Sequence, residues 1–380
     1  MRTTFTFDAL PQERVYFGSS VREALSEEVA RRGAQRIFIA TSKTLRRDSS
    51  AISLIVSTLG NKCVAIFDDI AEHSELAGVM QATTIAREAR ADLLVGIGGG
   101  SIIDGLKIVQ LALVAGASTI DQLMEARRNP DPKPHAIRQI AIATTLSGAE
   151  TTPAGGGTDK QRKLKIGFAH PSLVPASVIY DPAMGALTPE WLWLSSAIRG
   201  VDHCCEGLIA HNATPVTDAG LLQGLRLFSS SLRRTKIVPG DPFARSESQM
   251  ASYLACTSFF RTGSGASHGI GYILGGRFGV HHGYGSCVML PHVLRWNAPA
   301  TSERQKLISE AMQRPLANAG DAVEELITDL GLPARLRDVG IRQEDLDSIA
   351  QEAAAHPVVQ SNPRPISGPA DILEILNNAW

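Results

Sequence analysis

Apolar and polar residues follow two different patterns along the chain, and the change between the two lies near residue 182. In the first part, short runs rich in β-branched residues lie at 36–41, 63–68, 92–97, 137–143 and 177–181. Stretches with helical spacing separate these runs, and Ser74 is expected to cap one of the helices. Alternating strands and helices predict a mostly parallel sheet that is covered on both faces.

From residue 183 onward the pattern is that of long helices, and hardly any strand signal remains. Thr188 followed by Pro189 is typical of the N-cap and the first residue of a helix. The sequence therefore predicts an α/β nucleotide-binding domain over residues 1–182 and an all-helical domain over residues 183–380.

Composition excludes several classes of function. A formal net charge of −1 over 380 residues provides no field that would attract nucleic acid or an acidic membrane. No apolar run approaches the ~20 residues of a membrane span, and the first residues do not resemble a signal peptide. The five cysteines lack C-x-x-C spacing, so neither a disulfide framework nor a zinc knuckle is expected. A reducing, cytoplasmic setting fits these features.

Four glycines surround the end of the run at 92–97, in the segment GIGGGS, which also opens a helix. Glycines let the backbone approach a ligand closely, and the N–H groups at a helix start bind anions. A diphosphate fits such a place, although a simple turn would leave the same pattern. The segment matches neither G-x-G-x-x-G after a first strand nor a P-loop, because no G-K-[ST] follows. The pattern therefore predicts a phosphate site without saying whose phosphate it binds.

The ten residues from Gly98 to Lys107, GGGS-x-x-D-x-x-K, resemble the signature of the iron-containing alcohol dehydrogenase superfamily. The resemblance extends over nearly the whole chain, through ERVYFG (13–18), ATTLSGAETTP (143–153), LVPASVIYDP (173–182) and HHGYGSCVMLPHVLRWNAPA (281–300). The last residues, SNPRPISGPADILEILNNAW (361–380), are similar to the tail of maleylacetate reductases. The chain is therefore expected to stand nearest to that subgroup, with the dehydroquinate synthase-like fold of the superfamily.

The resemblance implies a nicotinamide dinucleotide, NADH or NADPH, as the cofactor. The glycine turn would hold the diphosphate, and the loop after 137–143 would line the nicotinamide side. The residues expected to bind the cofactor are Ser42, Gly98, Gly99, Gly100, Ser101, Asp104, Thr144, Thr145, Ser147 and Lys165, with Lys163 as the alternative to Lys165.

Residue 42 bears on the choice between the two cofactors. Family members that prefer NAD often carry an acidic residue just after the second strand, where it holds the ribose 2′-hydroxyl. Here Ser42 stands at that position, followed by Lys43, Arg46 and Arg47, and no carboxylate in this stretch would repel a 2′-phosphate. NADPH is therefore expected to be accepted, with NADH as a possible second cofactor. The alternative is that the two arginines are ordinary charges on a helix face.

The resemblance also implies four metal ligands in the iron and zinc enzymes: an Asp, a His four residues later, and two further His. His203, His268 and His282 match the three histidines, but Arg199 stands where the Asp would be. A guanidinium cannot ligate a metal, and about 4 Å from a divalent ion, at an effective dielectric of ~20, it repels that ion by roughly 8 kcal/mol. Asp202 points about 100° away from His203 on a helix and is not expected to substitute. The alternative is that Arg199 points aside and pairs with Asp202 or Glu206. A site without iron or zinc is therefore predicted.

Maleylacetate reductases are a precedent for this loss, because they typically carry Asn in place of the Asp. An arginine binds a carboxylate bidentately or polarises a carbonyl oxygen, so Arg199 is expected to hold a small carboxylated substrate. His203, His268 or His282 would orient the substrate or move the proton. Tyr272 stands where the subgroup tends to have a His, and it could donate the proton or serve only as a packing aromatic.

These features together predict a NAD(P)H-dependent reductase that transfers hydride to a small carboxylated oxo or enoyl substrate. The resemblance further implies a homodimer and a role in the breakdown of aromatic compounds. Two alternatives stay open: an iron- or zinc-dependent alcohol dehydrogenase, and a nucleotide-binding protein that has lost its activity. Cys204 and Cys205 are expected to be buried and unreactive.

Overall fold

The computed structural model describes residues 4–380, and the chain divides into two compact units, Phe7–Thr188 and Pro189–Trp380. The first unit has the predicted α/β character. Its strands are β1 (Arg14–Phe17), β2 (Ile37–Thr41), β3 (Cys63–Phe67), β4 (Leu93–Gly98), β5 (Arg138–Ala143), β6 (Ala154–Asp159), β7 (Leu164–Ala169) and β8 (Ser177–Tyr180). Its helices are α1 (Val21–Arg32), α2 (Lys43–Asp48), α3 (Ala51–Leu59), α4 (Leu76–Glu88), α5 (Gly100–Val114), α6 (Ile120–Arg128) and α7 (Pro182–Ala186).

Six of these strands form one parallel sheet in the order β1-β8-β5-β4-β2-β3. The central strand β4 is buried along its whole length, as its unbroken apolar run predicts. In a parallel sheet all carboxyl ends lie at one edge, and ligands of open α/β sheets bind at that edge. The turns that follow β2, β3, β4 and β5 are therefore neighbours.

The strands β6 and β7 form a separate antiparallel hairpin that the sequence pattern did not predict. The first of these strands reads AGGGTD, and glycine is depleted in strands because it has no side chain to pack. The predicted cap at Ser74 is wrong by one residue. Ser74 has a left-handed φ of 51°, and Glu75 precedes α4 at the N-cap position.

The second unit, Pro189–Trp380, is helical and contains no β-strand, as predicted. Its first helix begins at Glu190, so Pro189 rather than Thr188 is the N-cap residue. The helices are α8 (Glu190–Ile209), α9 (Pro215–Ile237), α10 (Pro242–Thr262), α11 (Ala266–Phe278), α12 (His282–Ala311), α13 (Ala319–Asp329), α14 (Leu346–Ala354), α15 (Pro357–Gln360) and α16 (Pro369–Ala379).

The helix α8 lies at the centre of this unit, packed against α9, α10 and α12, and is buried over most of its length. A Cβ at Gly200 would lie 2.6 Å from the ring of Phe228, so glycine is what allows α9 to approach this closely. A buried central helix can only carry charged residues whose partners are also buried. Among the helices of residues 4–380, none has the length and apolar character that crossing a bilayer would require.

Candidate active site

The turn between β4 and α5 is shaped by consecutive glycines. Gly98 has a φ of +156°, and a Cβ at Gly98 or Gly99 would come within 3.0 Å of the side chain of Ile102 or Thr145. No side chain caps the first turn of α5, so its N–H groups remain for a ligand. We call this turn, formed by Gly98, Gly99 and the start of α5, the cradle. It fits a diphosphate, because bulkier residues would fill it and because the helix start favours anions.

Ser101 and Asp104 help to fix this turn. The Ser101 hydroxyl accepts a hydrogen bond from the backbone N–H of His73 at 3.1 Å. One carboxylate oxygen of Asp104 lies 3.1 Å from Nζ of the buried Lys107, and the other accepts the N–H of Gly156 at 3.1 Å. Asp104 and Lys107 thus tie α5 to the hairpin. Direct contact of Ser101 or Asp104 with a cofactor stays a prediction.

The loop after β5 lies next to the glycine turn, because β5 and β4 are paired. Thr144 and Thr145 are buried there, and Thr145 donates a hydrogen bond to the Ser147 hydroxyl at 3.2 Å. Lys165 lies on the separate hairpin, on an exposed position of β7, and Lys163 lies at the hairpin turn with a φ of 53°. The two threonines and Ser147 therefore line the carboxyl edge beside the cradle, whereas the lysines belong to the hairpin.

Two carboxylates lie close to the stretch after β2, although residues 40–47 themselves contain none. The Ser42 hydroxyl caps α2, and its backbone forms an isolated bridge with Asp69, which follows β3. Lys43 Nζ lies 2.5 Å from an oxygen of Asp69, and Arg46 Nη1 lies 3.1 Å from an oxygen of Asp68. Asp68 and Asp69 follow the adjacent strand β3, so the sequence of residues 40–47 alone could not reveal them.

In the second unit, Glu206 of α8 holds the start of α11. Its carboxylate accepts the N–H groups of Gly265 at 2.8 Å and Ser267 at 2.7 Å, which supplies the cap that the helix lacks in its own sequence. The same carboxylate lies 2.8 Å from Nδ1 of His268. One buried carboxylate thus fixes both the helix and the orientation of the imidazole it carries.

Asp202 completes this group, contrary to the prediction that it would point away. Its Oδ1 lies 3.4 Å from His268 Nδ1, and its Oδ2 accepts the hydroxyls of Ser267 at 2.8 Å and Ser286 at 2.6 Å. Arg199 faces the same carboxylate, with Nη1 3.9 Å from Oδ2, and donates to Ser286 at 3.3 Å. The spacing i, i+3, i+7 of Arg199, Asp202 and Glu206 on one helix favours these contacts, and the alternative that Arg199 pairs with Asp202 is the one that the structure shows.

Two carboxylates and two cations therefore share one buried cluster. Burial and the charge of Arg199 lower the pKa of His268, but Asp202 and Glu206 outweigh them, so the pKa is raised. Burial raises the pKa of Asp202, but His268 and Arg199 hold it below its usual value. The two carboxylates thus favour the protonated form of His268. Its Nε2 is buried and has no hydrogen-bond partner among residues 4–380.

The pKa of His203 is shifted in the opposite direction to that of His268. Burial, together with the charges of His268 and Arg199, lowers its pKa well below the usual value, so the ring is neutral. Its Nδ1 lies 3.2 Å from Sγ of Cys256, and its ring stacks on that of His268 at 5.0 Å. The neighbouring Cys204 and Cys205 are fully buried, as predicted, and burial raises their pKa values well above normal.

The remaining predicted residues border this cluster. The Tyr272 ring lies 5.5 Å from the Arg199 guanidinium, 6.4 Å from the His268 ring and 6.5 Å from the His282 ring. The structure therefore brings together all five residues that were proposed for catalysis. Tyr272 is partly exposed while the histidines at 203 and 268 are buried, so it lies on the open side of the group.

The donor set does not fit the metal that the resemblance implies. Among residues 4–380, one group of three or more potential ligand atoms lies within 4.8 Å of one another, and it consists of Asp202, Glu206 and His268 rather than the three histidines. Arg199 faces the Asp202 carboxylate of that group. A divalent ion bound there would have to share the pocket with a guanidinium.

Comparison with known proteins defines the class. Residues 11–182 match the family described as iron-containing alcohol dehydrogenase, and residues 195–380 match the family described as Fe-containing alcohol dehydrogenase, C-terminal. Lactaldehyde reductase of Escherichia coli K12 is 30% identical over 97% of this chain and 98% of its own. The chain belongs to the iron-containing alcohol dehydrogenase family and is an oxidoreductase of that family, as the motifs predicted.

Maleylacetate reductases are among the relatives. Maleylacetate reductase 1 of Cupriavidus pinatubonensis is 27% identical over 98% of this chain and 96% of its own. The crystal structure of maleylacetate reductase from Agrobacterium tumefaciens superposes with a TM-score of 0.85 at 26% identity, covering 100% of this chain and 99% of the other. Similarity thus extends over full-length reductases of two different substrates.

Proposed function

We propose that this protein is a NAD(P)H-dependent reductase of small oxo or enoyl acids that works without a bound metal ion. The observation that carries the proposal is the position of Arg199. A fixed cation pairs with Asp202 in the cluster of His268, whose buried Nε2 has no hydrogen-bond partner among residues 4–380, and it stands where the resemblance implies a metal ligand. A buried ring nitrogen without a partner costs about 1–3 kcal/mol, which favours a ligand that bonds to it.

The first unit supplies the residues for the dinucleotide. The cradle at Gly98 and Gly99 would hold the diphosphate against the start of α5, and Thr145 and Ser147 would line the adjoining part of the edge. A reduced nicotinamide, when bound, supplies the hydride. Lys107 and Asp104 keep the cradle in shape by joining α5 to the hairpin, so they act as positioning residues.

Arg199 would bind the acidic substrate. Among the described residues, both of its polar contacts use Nη1, which leaves the Nε and Nη2 groups for a carboxylate or carbonyl oxygen. The ion pair with Asp202 and the hydrogen bond to Ser286 hold the side chain in place before the substrate arrives. A preorganised guanidinium stabilises the negative charge that develops on oxygen as hydride reaches carbon.

His268 would supply the proton. Glu206 and Asp202 hold its Nδ1 side, so the proton on Nε2 is the one that a substrate can receive. In the reduction of a carbonyl, hydride adds to carbon and the Nε2 proton adds to oxygen, which gives the alcohol. Neutral His203 would then act as an orienting hydrogen-bond partner rather than as the acid.

The test is NADH and NADPH oxidation with maleylacetate and with simple aldehydes, in EDTA and with added iron or zinc. The proposal predicts that the oxo acid is turned over and that EDTA does not lower the rate of this turnover. Strict dependence on iron or zinc together with a preference for uncharged aldehydes would identify a metal-dependent alcohol dehydrogenase instead. Dinucleotide binding without turnover of any substrate in the panel would identify a protein that has kept the fold and lost the activity.

A further inference from the structure

The ends of β2 and β3 hold charged residues that neither the cradle nor the His268 cluster uses. Lys43 pairs with Asp69 at 2.5 Å, and Arg46 pairs with Asp68 at 3.1 Å. All four side chains are at least partly exposed, so a ligand can reach them. Because Ser42 and Asp69 are bridge partners, the Asp69 carboxylate lies beside the position that follows β2.

The sheet order relates this place to the cradle. The glycine turn ends β4, whose neighbours are β5 on one side and β2, then β3, on the other. Adjacent strands are about 4.8 Å apart, so the ends of β2 and β3 lie roughly 5 and 10 Å from the end of β4. If the nicotinamide half of a dinucleotide extends toward Thr145 after β5, the adenosine half extends along β2 and β3.

We infer that Asp69 sets the cofactor preference of this protein and makes it favour NADH over NADPH; the inference rests on the proposed function. A carboxylate accepts a hydrogen bond from a ribose 2′-hydroxyl and repels a 2′-phosphate of nearly two negative charges. Asp69 also engages Lys43, the residue best placed to bind that phosphate. Two basic residues after β2, Lys43 and Arg46, are therefore already paired with the carboxylates that follow β3. Ser42 alone does not define the cofactor preference.

The substitution Asp69→Asn isolates this effect. The amide keeps the size of the side chain, removes the repulsion and releases Lys43 to bind a phosphate. Asp48→Asn is the matched control, because Asp48 pairs with Arg47 at the other end of α2, at 2.5 Å, and is similarly exposed. The double variant Asp69→Asn, Lys43→Ala tests whether the released lysine is the cause.

The measurement is calorimetric titration of each protein with ADP-ribose and with its 2′-phosphorylated form, which needs no catalytic turnover. We expect the unsubstituted protein to bind ADP-ribose at least about tenfold more tightly. Asp69→Asn should shift the affinity ratio at least tenfold toward the phosphorylated ligand. Lys43→Ala, added to Asp69→Asn, should cancel most of that shift, whereas Asp48→Asn should leave the ratio unchanged.

The outcomes separate the two proposals. If both ligands bind but the ratio is the same in the unsubstituted protein and in Asp69→Asn, or if the unsubstituted protein prefers the phosphorylated ligand, the role of Asp69 is refuted and the reductase assignment stands. If neither ligand nor NADH nor NADPH binds to any variant whose circular dichroism is native, the dinucleotide assignment fails, and the inference on Asp69 falls with it.

Discussion

Arg199 Nη1 lies 3.9 Å from Asp202 Oδ2 inside the helical unit, with 12% of the arginine side chain and none of the aspartate side chain exposed. A charge pair this deeply buried is held by its surroundings and cannot swing freely into solvent. Arg199 stands where the family resemblance implies the first metal ligand, so the pair fixes a permanent cation at that position. We propose that the guanidinium and the His268 imidazole carry the chemistry of the site.

Replacing Arg199 with Ala should raise the KM for an acidic substrate by roughly 30- to 100-fold, because a charge-assisted contact of about 2–3 kcal/mol is lost. Arg199→Lys should keep part of the affinity, since it keeps the charge without the planar fork. Steady-state kinetics with an oxo acid and a neutral aldehyde measure the effect. Arg277→Ala, which removes an exposed arginine of α11 paired with Glu352, is the control. Equal KM values in Arg199→Ala and the control would refute substrate anchoring.

Glu206→Gln should move the basic limb of the plot of kcat/KM against pH to lower pH. The carboxylates raise the pKa of His268 against burial and Arg199, so the proton donor persists to higher pH in the unsubstituted protein. Removing one carboxylate charge lowers that pKa. The pH dependence of kcat/KM measures the shift, with Glu352→Gln, at an exposed position of α14, as the control. A limb that does not move would show that His268 is not the acid.

Much of the fold follows from local sequence patterns, and less of the active site does. Buried parallel strands such as β4 carry continuous apolar runs, which one sequence reveals directly. The hairpin β6–β7 was missed because backbone pairing, rather than side-chain propensity, forms its glycine-rich strand. A period-2 or period-3.6 pattern carries no information about such a segment.

The predicted catalytic residues do come together, but their partners were only partly visible beforehand. The pairing of Arg199 with Asp202 was one of the alternatives that the sequence offered, whereas the contacts of Asp202 and Glu206 with α11 required the packing of two helices. Asp69 could not be found from the stretch around Ser42, because it follows a strand, β3, that is adjacent to β2 in the sheet and distant in the chain.

Glu28 provides a test of acid stability in the first unit. Burial raises its pKa, but hydrogen bonds from Arg31 and Ser177 and the charge of Arg32 outweigh burial and hold the pKa at about 2, below the ordinary 4.5. A folded-state pKa below the unfolded one stabilises the protein above pH 4.5, and this stabilisation is lost as the pH falls toward 2. The shift corresponds to roughly 3 kcal/mol.

Glu28→Gln should therefore lower the midpoint of thermal unfolding at pH 7. The difference in midpoint between this variant and the unsubstituted protein, the gap, should narrow steadily below pH 4.5. Thermal unfolding followed by circular dichroism between pH 3 and 7 measures both. Glu27→Gln is the matched control, because the adjacent Glu27 is exposed and pairs with the exposed Arg14. A gap of constant size across this pH range would contradict the assignment of the stabilisation to the Glu28 carboxylate.

The most direct test of the central claim is the metal content of the unsubstituted protein and of Arg199→Asp. Both are purified without chelator, equilibrated with iron or zinc, dialysed and analysed for bound metal. We predict well under 0.1 equivalent in the unsubstituted protein and a clear gain in Arg199→Asp, because the substitution replaces a repelling cation with a ligand. One tightly held equivalent of iron or zinc in the unsubstituted protein would contradict the account.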